Sequence, residues 1–360
     1  MLQRFSTAEL NHYCQPRPGE TRLGQLVQLP DVKLPYPELL AQHKAAGGQF
    51  VLLGIAESIG PRANLGLAGA ELGWQAFLQR FLNLQHNDSI ATSTILLLGQ
   101  IDCADLQQQA ATLSNQQPAH LSRLRQLCSE LDQRVSAQIV PIFAAGLYPI
   151  VIGGGHNNAY PLLQALAEVS KQPVNCANLD PHADFRPLEG RHSGNGFSYA
   201  SKAGYLGHYT VLGLDLQKNS AQSLVLLQQA GGHYISYQHM FIQQQCSFQQ
   251  ALDKTIALSC QASADIAIEL DTDSIQAMPA SALNYSGISV AQAAQFVFQL
   301  ARLPRARYLH LAEAAPACHP AGLDAGLKQC GQVLATLVLA FISGKTIQPA
   351  TSLTSTPQAD

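Results

Sequence analysis

The chain reads as an α/β protein built in three layers, α-β-α, around a central, mainly parallel sheet. Three observations predict this. Short, nearly continuous apolar runs recur along the chain, as strands buried on both faces do. Segments of helical periodicity separate most of them, which is the pattern of a parallel sheet covered by helices. The acids and histidines that stand out all follow the apolar runs, where ligands bind in open parallel sheets.

The 360 residues suffice for one large domain or two ordinary ones, and 47% of them are hydrophobic against 12% charged. Such a chain can fill a sizeable core and is not disordered by composition. A formal charge of −3 carries no basic excess, which argues against nucleic acid as a partner. The eight cysteines (14, 103, 128, 176, 246, 260, 318 and 330) form no C-x-x-C pair, and several sit in apolar runs, as free thiols in a reducing cytosol would. The N-terminus MLQRFSTAEL lacks the apolar core of a signal peptide. No apolar run is expected to reach the ~18 residues of a membrane span, so a cytoplasmic protein with no membrane partner is expected.

Taken in order, Ser6 to Glu9 (STAE) is a capping-box pattern that predicts a short helix opening near Thr7. Residues 15–34, with their Pro, Gly and Arg, read as an irregular arm. Gln49 to Ile55 is the first buried strand, followed by a glycine-rich loop, Gly60 to Gly73. That loop lacks G-K-[ST], so it does not read as a phosphate cradle. A helix is expected over Trp74 to Leu84, a strand over Ser93 to Leu98 and one long amphipathic helix from His120 to Gly146, ending at glycine. Tyr148 to Ile152 is a strand, Ala159 to Val169 a helix and Val174 to Leu179 a strand. Further strands are expected over Tyr209 to Leu214, Tyr234 to Tyr237, Asp265 to Leu270 and Arg307 to Ala312. Helices are expected over Ala221 to Ala230, Phe248 to Leu258, Val290 to Leu303 and Leu323 to Phe341. With no repeat and no linker in view, the reading is an arm over 1–45, one catalytic domain over 46–344 and a loose Thr-, Ser- and Pro-bearing tail over 345–360.

The chemistry sits at the strand ends. Asp180, His182 and Asp184 alternate after an apolar run, so an extended backbone brings all three heads to one face. Taken alone, they could merely face water. His156 after YPIVIGGG, Asp271 and Asp273 after the run ending at Leu270, and Glu313 after RYLHLA change that reading. Carboxylates and imidazoles are donors suited to Mn, Zn or Fe rather than to a thiolate site. Six ligands suffice for two divalent cations sharing carboxylates, a pair that activates water at neutral pH and stabilises a tetrahedral intermediate.

On Gly154-Gly155-His156, Asp180-Pro-His-Ala-Asp184, Asp271-Thr-Asp273 and Glu313-Ala-Ala-Pro316, the chain resembles the arginase–agmatinase–formimidoylglutamase (ureohydrolase) superfamily. The resemblance runs from about Phe50 to Ser343 and implies an arginase/deacetylase-like fold and two Mn²⁺ ions, other divalent metals being compatible. By position, His156, Asp180, Asp184 and Asp271 would bind one ion. Asp180, His182, Asp271 and Asp273 would bind the other, with Asp180 and Asp271 bridging. The chain departs from common members at Gly155, where many have Asp but formimidoylglutamases commonly share the glycine. It departs also at Pro181, where Ala is usual, and at Gln276-Ala277, where D-P is usual. Zinc deacetylases of related fold lack the full ligand set.

Ser193-Gly194-Asn195 resembles the arginase loop that holds the α-amino and α-carboxylate groups of the substrate, but Phe197 replaces that loop's histidine. Arg186 stands where arginases have an Asn. An arginine fork suits a carboxylate, though an ion pair with Glu189 is an alternative. Arg191 and His192 could also reach the pocket. The implied reaction is hydrolysis of N-formimidoyl-L-glutamate to L-glutamate and formamide, a step of histidine catabolism. In it Asp273 moves the proton, Glu313 holds the cationic amidine, and Arg186, Ser193 and Asn195 orient the glutamate portion. The alternatives are another small amidine or guanidine substrate (arginase, agmatinase or guanidinobutyrase type), or a non-catalytic module that keeps the fold. Family members often form trimers or hexamers, so a homo-oligomer is compatible with the resemblance. The remaining histidines, among them His310, receive no role.

Overall fold

Nine strands of the computed structural model, which describes residues 1–346 except Asp88, join in a single sheet. They are β1 (Leu2–Arg4), β2 (Phe50–Ile55), β3 (Ile95–Ile101), β4 (Tyr148–Ile152), β5 (Val174–Leu179), β6 (Leu206–Leu214), β7 (His233–Ser236), β8 (Ile266–Asp271) and β9 (Ala306–Ala312). Their spatial order is β1-β3-β2-β4-β9-β8-β5-β6-β7. Only β1 runs antiparallel to its neighbour, β3; every other pair is parallel.

The helices are α1 (Thr7–Tyr13), α2 (Tyr36–Ala45), α3 (Ile59–Ala63), α4 (Gly73–Phe81), α5 (Ala104–Ala111) and α6 (Pro118–Ala144) in the first part of the chain. After these come α7 (Ala159–Ser170), α8 (Gly196–Lys202), α9 (Ala221–Gln229), α10 (Phe248–Ser259), α11 (Val290–Ala301) and α12 (Leu323–Thr346). Alternate residues of every strand but β1 feed two separate cores. Phe50 and Leu52 of β2 pack in the core formed with α4, α10, α11 and α12, while Val51, Leu53 and Ile55 pack in the one formed with α6, α7 and α8. Burial on both faces is why the strands read as continuous apolar runs, and it makes the three layers.

The capping box forms as expected: the Ser6 hydroxyl accepts from Glu9 N, and Glu9 accepts from Ser6 N at 2.8 Å. Residues 1–45 are tied into the sheet rather than detached from it. Residues Leu2 to Arg4 pair with β3, Leu39 and Leu40 of α2 are buried, and Tyr36 Oη donates to the Gln138 carbonyl at 2.8 Å. The expectation that no run reaches spanning length is corrected by α12. That helix is long and apolar enough to cross a membrane by length and composition. Its Cys330, Leu334, Leu337, Val338 and Phe341 are fully buried in the core shared with α4 and α11, which accounts for the apolar face. It runs through Thr346, and the rest of the expected tail lies outside the described residues.

The order of the strands decides where a site can form. β4, β9, β8 and β5 are neighbours in space although far apart in sequence. Their carboxyl ends therefore open side by side.

Candidate metal centre

The turn after β4 brings in the first histidine. Gly154 has φ +71°, and an added Cβ would lie 2.7 Å from Glu57 Oε1, so only glycine is free of strain and clash here. At Gly155 a Cβ would meet the Pro61 ring at 2.3 Å, which explains the glycine in place of aspartate. Glu57, fully buried, latches this turn from the loop after β2. Its Oε1 accepts from Gly155 N at 2.7 Å and from Asn158 Nδ2 at 2.7 Å, and its Oε2 from Ile59 N and Gly60 N at 2.5 and 3.1 Å. Sequence reasoning missed Glu57; its one signal was an acid two residues beyond a wholly apolar strand.

His156 Nδ1 lies 2.9 Å from Asp184 Oδ2, 3.1 Å from Asp180 Oδ2 and 3.5 Å from Asp271 Oδ2. His182 Nδ1 lies 3.3 Å from Asp273 Oδ2 and 3.5 Å from Asp180 Oδ1. The six expected ligands thus converge, delivered by β4, β5 and β8. Pro181 leaves them in place, because it needs no donor there: its carbonyl accepts from Asp215 N at 2.8 Å and Asn219 Nδ2 at 2.9 Å. Asp184 and Glu313 take left-handed backbone, φ +45° and +63°, strain of the kind found at functional sites.

Burial pushes the Asp184 carboxyl up to about 6, with Asp180 adding to it. Burial and Asp273 push Asp271 well up, and burial and Asp271 do the same to Glu313. Burial also opposes ionisation of Asp180, but His156 and His182 outweigh it and hold that carboxyl down to about 2. Carboxylates gathered this closely repel one another unless cations neutralise them. The donors fit that demand. Among the described residues, His156 Nδ1 makes no well-formed hydrogen bond with any of its three carboxylate neighbours, and Asp273 turns Oδ2 to His182 while its Oδ1 is buried without a partner. Two donor sets overlap at Asp180: His156/Asp180/Asp184/Asp271 and Asp180/His182/Asp273, ligand atoms within 4.8 Å of one another in each. Asp271, expected in both, groups with the first alone. Mixed imidazole and carboxylate donors suit a pair of divalent ions.

A cleft of about 640 Å³ opens above these residues, lined by His182, Asp184, Asp271, Asp273 and Glu313 and by Asn64, Arg186, Glu189, Ser193 and Lys218. Arg186 reaches it, but with its charge engaged: Nη1 donates to Asn64 Oδ1 at 2.7 Å, and Nη2 lies 3.2 Å from Glu189 Oε1. Ser193 lines the cleft and accepts from Asn64 Nδ2 at 3.3 Å. Asn195, expected to bind substrate, does not reach it. Its side chain is fully buried, accepting from Arg191 Nη1 at 2.7 Å and His192 N at 3.0 Å and donating to the Gly190 carbonyl at 2.8 Å. That amide holds the loop together instead.

Nor do Arg191 and His192 line the cleft. Arg191 points into the α6–α7 side, 2.8 Å from Asp132, with the rings of Tyr160 and Tyr199 within 5.0 Å of its guanidinium. His192 is buried, and Nδ1 accepts from Gly194 N at 3.1 Å. Phe197 stands edge-on to the His156 ring at 5.1 Å and stacks on Tyr209 at 4.4 Å, so it braces the candidate ligand histidine. Gln276 and Ala277 are held by backbone bonds to Ile288 and Asn284, and the cleft wall beyond them is made by Ser281 and Ala282. Lys218 was missed by sequence reasoning. It sits in a 3-10 turn, Leu216–Lys218, and forms no ion pair among the described residues. The adjoining Asn219 fastens that turn to the ligand loop by accepting from Ala183 N at 2.7 Å.

Known proteins share both architecture and sequence. The crystal structure of Trypanosoma cruzi formiminoglutamase with Mn²⁺ matches with a TM-score of 0.70 at 20% identity, over 92% of this chain and 100% of that one. Formimidoylglutamase from Bacillus subtilis matches with a TM-score of 0.70 at 14% identity, over 93% and 95%. At such identities the likeness is one of fold. In sequence, the chain is 25% identical to the formimidoylglutamase of Chromobacterium violaceum over 170 residues, 46% of this chain and 48% of that protein, so the match spans about half of the relative's length. Residues 49–341 match the model of the arginase family, and the chain belongs to that family.

Proposed function

We propose that the chain is a hydrolase of a C–N bond in a linear amidine, with N-formimidoyl-L-glutamate as substrate and L-glutamate and formamide as products. The observation that carries this reading is the pair of overlapping donor sets, buried but for the half-buried His182 and Asp184, opening into a cleft that also bears Arg186 and Lys218. His156, Asp180, Asp184 and Asp271 would hold one Mn²⁺; Asp180, His182 and Asp273 would hold the other. When bound, such a pair supplies Lewis-acid stabilisation and a nucleophile at neutral pH.

The chain's residues do the rest. Glu313 Oε1 is occupied by the His156 N–H at 2.9 Å, so Oε2 remains to accept from the amidinium and fix its carbon. Asp273, whose Oδ1 has no partner, takes the proton of the attacking water and passes it to the departing amine nitrogen as the C–N bond breaks. Lys218, and Arg186 once it exchanges Glu189 for substrate, receive the carboxylates of the glutamate portion, with Ser193 beside them.

The Arg186–Glu189 contact favours a second reading. It places both signs of charge at one point of the cleft, which also suits a guanidine substrate with an α-amino acid end. Loading the chain with Mn²⁺ and assaying formimidoylglutamate, arginine, agmatine and guanidinobutyrate in parallel separates the two. Two ions per chain and turnover of formimidoylglutamate alone is the expected result. Turnover of arginine instead replaces the substrate and keeps the site, and fewer than two ions with no turnover overturns the hydrolase.

A further inference from the structure

Beneath His156 lies a second polar group, away from the cleft. Glu269 of β8 is fully buried, two residues before Asp271 and on the same face of the strand. The parallel register pairs it with His310 of β9. Its Oε2 contacts His310 Nδ1 at 2.6 Å, and its Oε1 accepts from Tyr308 Oη at 2.5 Å. Among the described residues, no lysine or arginine lies within ion-pair distance of it, and its charged neighbours are imidazoles alone. An acid in that position is expensive to bury, so it needs a reason beyond packing.

That reason is the other side of His156. Nδ1 faces the carboxylates of the donor set, whereas Nε2 lies 3.4 Å from Glu269 Oε2, its contact on that side; neither nitrogen makes a well-formed hydrogen bond among the described residues. An ionised carboxylate only accepts, so the hydrogen of a neutral imidazole belongs on the nitrogen facing it, and the lone pair is left on the other. We propose that Glu269, backed by His310 and Tyr308, is a positioning residue that keeps His156 in its Nε2–H tautomer and so presents Nδ1 to the metal pair. The inference rests on the binuclear reading of the site and assigns work to residues that reading leaves idle. His156, Glu269 and His310 also satisfy the distances of a three-donor cation site. Short hydrogen bonds from Tyr308 and His310 fix the Glu269 carboxylate and leave Oε2 a second lone pair toward Nε2, as the positioning role requires; a third ion is an outcome to test.

The test is Mn²⁺ titration by calorimetry of the wild type, Glu269→Ala, Glu269→Gln and His310→Gln, with melting of each metal-free protein measured separately. Zn²⁺-loaded, histidine-¹⁵N-labelled wild type reports the tautomer by NMR. The expected result is a protonated Nε2 on His156. One of the two ions should bind roughly 10–100-fold more weakly in Glu269→Ala, the other unchanged, with Glu269→Gln between. A purely structural acid would lower melting and weaken both ions alike, which overturns the proposal. So does a protonated Nδ1, a third ion lost on substitution, or wild-type affinities in all folded variants. Should Glu269→Ala not fold, Glu269→Gln and His310→Gln decide by the same criteria. A wild type that takes up fewer than two ions overturns the binuclear reading and this one together; two ions that survive every substitution overturn this one alone.

Discussion

Arg186 and Glu189 face each other in the cleft with 3.2 Å between Nη2 and Oε1, three residues apart on the loop that follows the candidate ligands Asp180, His182 and Asp184. Both side chains are partly exposed, at 43% and 37%, so the pair is worth only about 0–1 kcal/mol. Glu189 Oε1 also lies 3.2 Å from His192 Nε2 and 3.5 Å from Arg125 Nη2, so a substrate carboxylate can take Arg186 while the acid keeps its other partners. Glu189→Gln should therefore lower KM for an anionic substrate by up to about fivefold and leave kcat unchanged, while Arg186→Ala raises KM. Steady-state kinetics checks this. Equal KM values in both variants would assign the pair to loop structure.

Asp271 is buried against Asp180 and Asp273, and the three acids repel in the absence of cations. Asp271→Asn should raise the melting temperature of the metal-free protein by about 2–4 °C and remove most of the stabilisation gained on adding Mn²⁺. Scanning calorimetry with and without Mn²⁺ measures both. A variant less stable without metal than the wild type would contradict the charge argument.

Removing the Asn195 amide strands the Arg191 guanidinium and the His192 N–H that it serves. Asn195→Ala should cost roughly 2–4 kcal/mol in denaturant unfolding, with Mn²⁺ stoichiometry intact. A rise in KM without a loss of stability would return Asn195 to substrate binding.

Burial, with Arg186, Arg125 and Arg191 nearby, holds the His192 imidazole down to about 2. The unfolded chain protonates near 6.5, so between that value and about 2 it binds a proton the folded chain refuses. Stability contributed by neutral His192 is thus complete above pH 6.5 and lost as pH falls, by up to about 2 kcal/mol at pH 5. His192→Asn should flatten the stability profile between pH 7.5 and 5 relative to wild type. Parallel profiles would show that other groups carry the acid lability.

The bounds of β4 and β5 coincide with the runs 148–152 and 174–179, because strands buried on both faces carry few polar positions, in β5 only the buried Asn175 and Asn178. Strand β1 was illegible. Its three residues, LQR, carry no apolar run, and only pairing with β3 makes them a strand. Helix α3 was hidden by its own composition, IGPRA, whose glycine and proline read as loop. The candidate ligands were legible for the opposite reason: acids and histidines are conspicuous when they end apolar strands.

By itself, the sequence determined the layered α/β architecture and singled out the six converging candidate ligands, since both follow from local periodicity and residue chemistry. Tertiary structure alone decided the neighbours. It set β9 and β8 between β4 and β5, brought Glu57 under the Gly154 turn, paired Glu269 with His310, turned Asn195 inward and left Lys218 in the cleft. Each of these is a contact between segments distant in the chain or a side-chain direction within a loop. Such contacts have no period along the sequence and exist only once the sheet is assembled.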